Sequence, residues 1–295
     1  MKNIGWIGLG KMGMPMALKL AESGHKLSVY NRTKSKTATL VDAGASAKDN
    51  AADVAKKSDV IITMVSDDTA LEMLALGAEG ILENAKSNST FIDMSTVSPV
   101  LSRRIAKVAS EKGIKYLRAP VNGTVMQAEA STLVILVSGP QSSFDEQNDI
   151  FKAMGNKIFY IGAEEQARYL KLSINMMVGI SSIMMAEALA LGTAGGLDWD
   201  VMIDVIKNSA VGSPVVNYKT QMLKDRDFKP AFSAKQMAKD FDLILEAGRT
   251  ANVPLSISAQ ARQNWSAMIA TGRGENDFFG YIDLLEELSG LKNNV

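Results

Sequence analysis

Two side chains able to do chemistry, an amine and a carboxamide, stand four residues apart at Lys171 and Asn175. An amine can carry charge or hand over a proton, and a carboxamide can both donate and accept hydrogen bonds. They open the run from Arg168 to Leu197, RYLKLSINMMVGISSIMMAEALALGTAGGL, in which nearly every position after Met176 is apolar or glycine. Such a run predicts a helix with no wet face, buried nearly all round. Residues four apart share a helix face, so the pair points one way from the edge of a buried rod. Spacing alone leaves two readings open, a solvated first turn and a polar pair with a function. The run also has the roughly 20 residues that a membrane span needs. Glu187, the pair Ser181 and Ser182, and glycines at Gly179, Gly192, Gly195 and Gly196 favour cover by protein instead.

Composition removes several chemistries. The chain has no cysteine, hence no disulfide, thiolate-bound metal or cysteine nucleophile. Its one histidine, His25, follows Ser23-Gly24 and reads as a turn residue near the surface, so a proton donor must be sought elsewhere. Asp240, Asp242 and Glu246 have no histidine converging on them and read as a solvated helix face, so no metal site is expected. The methionines of the glycine loop and the long run read as core packing. With 32 basic and 32 acidic residues there is no overall field for nucleic acid. The first apolar run is broken by Gly8, Gly10 and Lys11, unlike a signal peptide, and the expected location is cytoplasmic, with no membrane partner.

Lys2 to Leu9 reads as a buried strand, followed at once by the GxGxxG of Gly8, Gly10 and Gly13 and then by a helical pattern. Strand, glycine loop and helix form the context that dinucleotide binding requires, because the turn lets a pyrophosphate approach backbone N–H groups at a helix N-terminus. A second strand, Lys26 to Tyr30, ends about 20 residues beyond the loop, where a ribose-binding residue belongs. The chain there reads Asn31-Arg32-Thr33, with Lys34 and Lys36 following, in place of a carboxylate. A carboxylate would repel a 2′-phosphate and an arginine pairs with it, so NADP is the expected cofactor over NAD.

These elements have to be positioned by the rest of the chain. At 295 residues it is long enough for two domains. Strand patterns recur at 59–65, 89–93, 115–118, 132–137 and 157–161, with helical patterns between the earlier ones, which predicts an α/β fold with a mostly parallel, doubly wound Rossmann-type sheet. After Gly162 only helical patterns follow, at 199–208, 217–224, 234–251, 256–271 and 278–289 besides the long one. The expected division is a dinucleotide-binding domain at 1–162 and an all-helical substrate and oligomerisation domain at 163–295, joined by the long apolar helix. Covering that helix calls for a homodimer or homotetramer.

Four stretches stand in order: GWIGLGKMGMPMA with NRT, DMSTVSP at 93–99, APVNGT at 119–124, and KLSINMM opening the long helix, with Lys239-Asp240 later. Together they resemble the β-hydroxyacid dehydrogenase family, which includes 3-hydroxyisobutyrate dehydrogenase and tartronate semialdehyde reductase. The resemblance covers essentially the whole chain. It implies hydride transfer between NADP and a short β-hydroxy acid or its semialdehyde or ketone. It implies Lys171 as catalytic acid and base, with Asn175 beside it holding the substrate. Thr96, Asn122, Gly123 and Thr124 match the substrate-binding loops, Thr96 also lying near the nicotinamide. Gly8, Leu9, Gly10, Lys11, Met12, Gly13, Asn31, Arg32, Thr33, Val65 and Lys239 match the cofactor contacts. An alkoxide forming on the substrate needs a positioned donor, which an ammonium supplies. Burial would bring its pKa, ordinarily about 10.4, towards the working range.

The family usually shows Ser-Gly-Gly where this chain has Asn122-Gly123-Thr124, and glycines are common where Gln127 and Ser131 stand. These departures fall in the loop that should grip the substrate and leave its identity open. Two alternatives remain: a non-catalytic NADP-binding assembly or sensor protein on the same fold, and an imine reductase. Lys171 speaks against both, since the imine-reducing relatives typically replace it.

Overall fold

The computed structural model describes residues 2–291. Two compact units meet at the Lys171–Leu172 bond, inside the long helix; composition changes earlier, at Gly162.

The first unit is an α/β layer built on a nine-stranded sheet. Its strands are β1 (Asn3–Ile7), β2 (Lys26–Tyr30), β3 (Ser46–Ala47), β4 (Val60–Thr63), β5 (Thr90–Asp93), β6 (Lys115–Arg118), β7 (Val121–Asn122), β8 (Leu133–Ser138) and β9 (Gly155–Gly162). They lie in the order 3-2-1-4-5-6-8-7, with β9 paired to β8. The six strands β1 to β6 run parallel, and β1, β4 and β5 are buried along nearly their whole length because helices cover both faces. Two apolar clusters result, one around Trp6, Met16 and Phe151 and the other around Phe91, Ile105 and Tyr116. Beyond β6 the pattern changes. β8 is antiparallel to both β6 and β7, and two-residue β3 and β7 are too short to leave a periodic signal in sequence.

The second unit is helical among its described residues. After the long helix, Gln166–Ala194, come Trp199–Lys207, Pro214–Asp225, Ala234–Thr250, Ser256–Ala270 and Tyr281–Leu288, each within a few residues of its expected span. Three of these starts have a local cause in sequence: Asp198, Ser213 and Ser233 cap the free N–H groups of the first turn, and Pro214 occupies the first helical position after Ser213.

The expectation of a helix buried all round is corrected. Among the described residues, Gln166–Ala194 is the helix long and apolar enough to cross a membrane, yet only 39% of its most apolar window is buried. Met177, Met184 and Leu191 are exposed and recur every seven residues, which places them on one stripe. Close approach is made at two glycines: a Cβ on Gly179 would lie 2.3 Å from the Phe241 ring, and one on Gly192 would lie 2.1 Å from the Met202 sulfur. These notches let neighbouring helices approach closely. Leu172, Ile183, Met185 and Leu189 are buried, while Met177, Met184 and Leu191 stay exposed.

Candidate active site

β1 ends at Ile7, and the chain turns through the glycine loop into the helix Gly13–Glu22. Gly8 has φ +100°, and a Cβ on Gly13 would lie 2.1 Å from the Gly8 carbonyl oxygen, so neither position admits another residue without displacement. A Cβ on Gly10, by contrast, would meet nothing within 4 Å. The helix start carries no acidic residue in its first turn and no side-chain cap at Met12, which leaves its positive dipole end unneutralised. This open floor fits a dinucleotide pyrophosphate. Leu9 is buried, and its N–H donates to Asn31 Oδ1 at 2.9 Å, while Asn31 Nδ2 donates to the Thr33 carbonyl at 3.0 Å. Asn31 therefore braces the loop against the end of β2. Arg32 and Lys11 are exposed, and Arg32 makes no ion pair among the described residues, so its guanidinium can accept an anion; Lys34 is already paired with Asp49 at 2.7 Å.

A second construction lies at the end of β5, and sequence reasoning passed over its centre. Asp93 is fully buried and accepts from Thr63 Oγ1 at 2.6 Å and Ser95 Oγ at 2.7 Å. Its other oxygen is paired with Arg168, whose guanidinium also donates to the Ser95 carbonyl at 2.6 Å and to the Tyr116 hydroxyl at 3.2 Å. Burial works against the Arg168 charge, but the Asp93 carboxylate and Tyr116 outweigh it and hold the guanidinium well above its ordinary pKa. Burial raises the Tyr116 phenol, so it stays a neutral partner. Ser95 Oγ in turn accepts from the Val65 N–H at 2.9 Å. One buried network thus fastens the start of the long helix to the loops that carry Val65 and Thr96. The only signal in sequence was a polar Asp and Arg flanking apolar runs, which does not specify a pair.

Lys171 lies one helical turn beyond Arg168, half-buried, and donates to Asn122 Oδ1 at 2.9 Å. Asn122 is fixed from below by its ladder partner Val134 on β8. The departures that follow it pair with one another: the Thr124 N–H donates to Gln127 Oε1 at 2.8 Å and starts the short helix Val125–Glu129. Thr124 itself has an extended backbone with φ −106°, and the glycine conformation is needed one residue earlier, at Gly123 with φ +142°. Ser131 takes a left-handed φ of +55° where a glycine would be unstrained.

In the second unit Asn175 Nδ2 donates to Asp240 Oδ2 at 2.6 Å, and Lys239 pairs with the other Asp240 oxygen at 2.8 Å. Asp240 is 1% exposed, which corrects the expectation of a solvated face; only Asp242 of that group is exposed, paired with Arg262 at 2.7 Å. No cluster of potential metal ligands occurs among the described residues. His25 is half-buried, and desolvation lowers its pKa against the pull of Asp149.

Residues 3–162 match the family described as the NAD binding domain of 6-phosphogluconate dehydrogenase, and residues 166–285 match that described as NAD-binding of NADP-dependent 3-hydroxyisobutyrate dehydrogenase. The chain is 35% identical to 2-(hydroxymethyl)glutarate dehydrogenase of Eubacterium barkeri, over 98% of this chain and 96% of the relative. It is 32% identical to glyoxylate/succinic semialdehyde reductase 1 of Arabidopsis thaliana, over 96% of this chain and 98% of the relative. A solved structure of Mycobacterium tuberculosis 3-hydroxyisobutyrate dehydrogenase with L-serine superposes with a TM-score of 0.88 at 28% identity, covering 97% of this chain and 99% of that one. A glycine loop built for a dinucleotide, a lysine held by Asn122 and relatives matched along their whole length lead to one conclusion: the chain belongs to the β-hydroxyacid dehydrogenase family and is an NAD(P)-dependent oxidoreductase acting on the CH–OH group of its donors.

Proposed function

We propose that the chain is an NADP-dependent enzyme interconverting a short β-hydroxy acid and its semialdehyde or ketone, with Lys171 as general acid in reduction and general base in oxidation. The observation that carries this reading is the bond from Lys171 Nζ to Asn122, which holds the amine at the substrate loop. A bound nicotinamide coenzyme supplies the hydride in reduction and takes it in oxidation. As the substrate C=O becomes C–O⁻, the Lys171 ammonium gives its proton to that oxygen and is left as a neutral amine, which regains a proton from solvent. In oxidation the neutral amine removes the hydroxyl proton. Asn175 orients the substrate, and Thr96, Thr124 and the Gly123 N–H take its carboxylate. The test is NADPH oxidation against glyoxylate and succinic, tartronate and methylmalonate semialdehydes; silence across the panel would refute the reading.

NADP preference rests on Arg32. Its exposed guanidinium follows Asn31, where a carboxylate would exclude a 2′-phosphate. Arg32→Ala is expected to weaken NADPH binding by about 1.5–3 kcal/mol, roughly 10- to 150-fold, and NADH binding far less. Equal losses in titration calorimetry would refute the preference.

Assembly as a homodimer or homotetramer through the helical domain, residues 163–295, is part of the same proposal. The stripe Met177, Met184 and Leu191 is 70%, 49% and 77% exposed, a recurrence that a second copy of the helix would cover. Light scattering at micromolar concentration is expected to give a dimer or tetramer mass, and a monomer mass would rule assembly out. A cytoplasmic location is proposed alongside.

A further inference from the structure

The long helix is apolar over most of its length, and apolar contacts are non-directional: they do not by themselves set the rotation of a helix about its axis or its place along it. Four buried charges at its start do. On the sheet, Asp93 at the end of β5 and Arg118 at the end of β6 are direct neighbours in register. On the helix side, Glu165 stands just before the first turn, its carbonyl accepting the Arg168 N–H at 3.0 Å, and Arg168 follows three residues later. Arg118 Nε donates to Glu165 Oε1 at 2.9 Å, and Arg168 is paired with Asp93, so negative and positive charges alternate on both sides and each meets its opposite. All four side chains are at most 6% exposed. The Arg168 guanidinium reaches further, to the Ser95 carbonyl, the Tyr116 hydroxyl and, at 3.3 Å, Ser102 Oγ. Glu165 Oε2 is nevertheless buried with no hydrogen-bond partner among the described residues, which costs stability.

A slip of the helix by one turn would set Arg168 where Glu165 stands, against Arg118, and a slip by one residue would turn every side chain by about 100°. Lys171 lies three residues past Arg168, about 4.5 Å further along the same face. Its partner belongs to the same sheet as the charges: Asn122 on β7 ladders to β8, and β8 pairs with β6 at Arg118. We propose that Asp93, Arg118, Glu165 and Arg168 are positioning residues for Lys171: their alternating charges admit one register of the helix start against the sheet, the one that carries the amine to Asn122. This rests on the reading of Lys171 as proton donor. Buried ion pairs add little net stability over well-packed apolar side chains, and their best-attested use is to specify register. The unpartnered Glu165 oxygen fits that use.

Arg168→Met combined with Asp93→Asn separates register from stability, because the second change removes the charge that the first would orphan. Stability then largely returns, but kcat is expected to stay about 10- to 100-fold below wild type, the cost of a donor misplaced by about 1 Å, with the NADPH dissociation constant within about threefold. Adding Lys171→Met is expected to erase the difference to within about twofold, because a misplaced donor and a missing one have the same consequence. Arg118→Met combined with Glu165→Leu replaces the other pair by apolar side chains; it is expected to fold and to show the same dependence on Lys171. Steady-state kinetics well below each unfolding midpoint, at enzyme concentrations that bring the Lys171→Met background into range, give the measurement. A kcat within about twofold of wild type in either double variant would overturn the proposal. So would an equal loss with and without the lysine, the mark of damage that does not act through the amine. If Lys171→Met is itself slowed in those assays, the proton-donor reading survives that failure. If Lys171→Met keeps wild-type kcat, both fall.

Discussion

Lys171→Met is expected to lower kcat by about 10²- to 10⁴-fold, the range that a positioned proton donor contributes, while NADPH affinity stays nearly unchanged. The separation follows from the architecture. The dinucleotide floor is made by Gly8, Gly10, Gly13 and the start of the Gly13–Glu22 helix, braced by Asn31, and none of these contacts involves Lys171. Lys171 donates to Asn122, outside that floor. Methionine keeps the length and much of the packing of the lysine stem, so loss of the amine is the dominant change. Lys171→Arg should fail as well, because a guanidinium holds its proton at any working pH. Asn175→Ala should cost less, roughly 10- to 100-fold, since it removes one orienting bond and leaves Asp240 its ion pair with Lys239. Steady-state kinetics on the acid found by the panel decide it. A Lys171→Met enzyme that keeps more than about a tenth of wild-type kcat, under 1.4 kcal/mol of barrier, would place the proton source elsewhere.

Arg168→Met should destabilise the first unit by about 3–5 kcal/mol, the cost of leaving a buried charge without its counter-ion. Asp93 is 0% exposed and Arg168 1%, so solvent cannot take over the neutralisation. The damage would spread beyond the pair, because the guanidinium also holds the Ser95 carbonyl and the Tyr116 hydroxyl. Adding Asp93→Asn removes the orphaned charge while keeping an acceptor for Thr63 and Ser95. The double variant should therefore recover more than half of the loss. Denaturant unfolding followed by a probe in the first unit provides the measurement, and a single-variant cost below about 1 kcal/mol, the worth of a surface pair, would show that the network does not hold the helix start.

Much of this protein was determined by neighbours in sequence. The parallel strands β1 and β4 show as short apolar runs because helices bury both their faces, β2 shows by its alternation, and the helices of the second unit show through their caps and their 3.6-residue period. The dinucleotide loop is equally local: Gly8 and Gly13 touch within five residues of chain, so spacing alone encodes the close approach. The antiparallel turn of β8 was not legible, because a continuous apolar run reads the same in either direction. Nor was the open face of the long helix, since an apolar composition does not say which neighbours are present to cover it. Asp240 looked like a solvated carboxylate until the fold buried it against Asn175 and Lys239. The pairs that organise the site join distant positions, Arg168 to Asp93 across 75 residues and Lys171 to Asn122 across 49. Period and spacing carry no information at that range. Only the sheet order, which brings the ends of β5 and β7 to the start of one helix, decides which charge meets which carboxylate and which amide meets the amine.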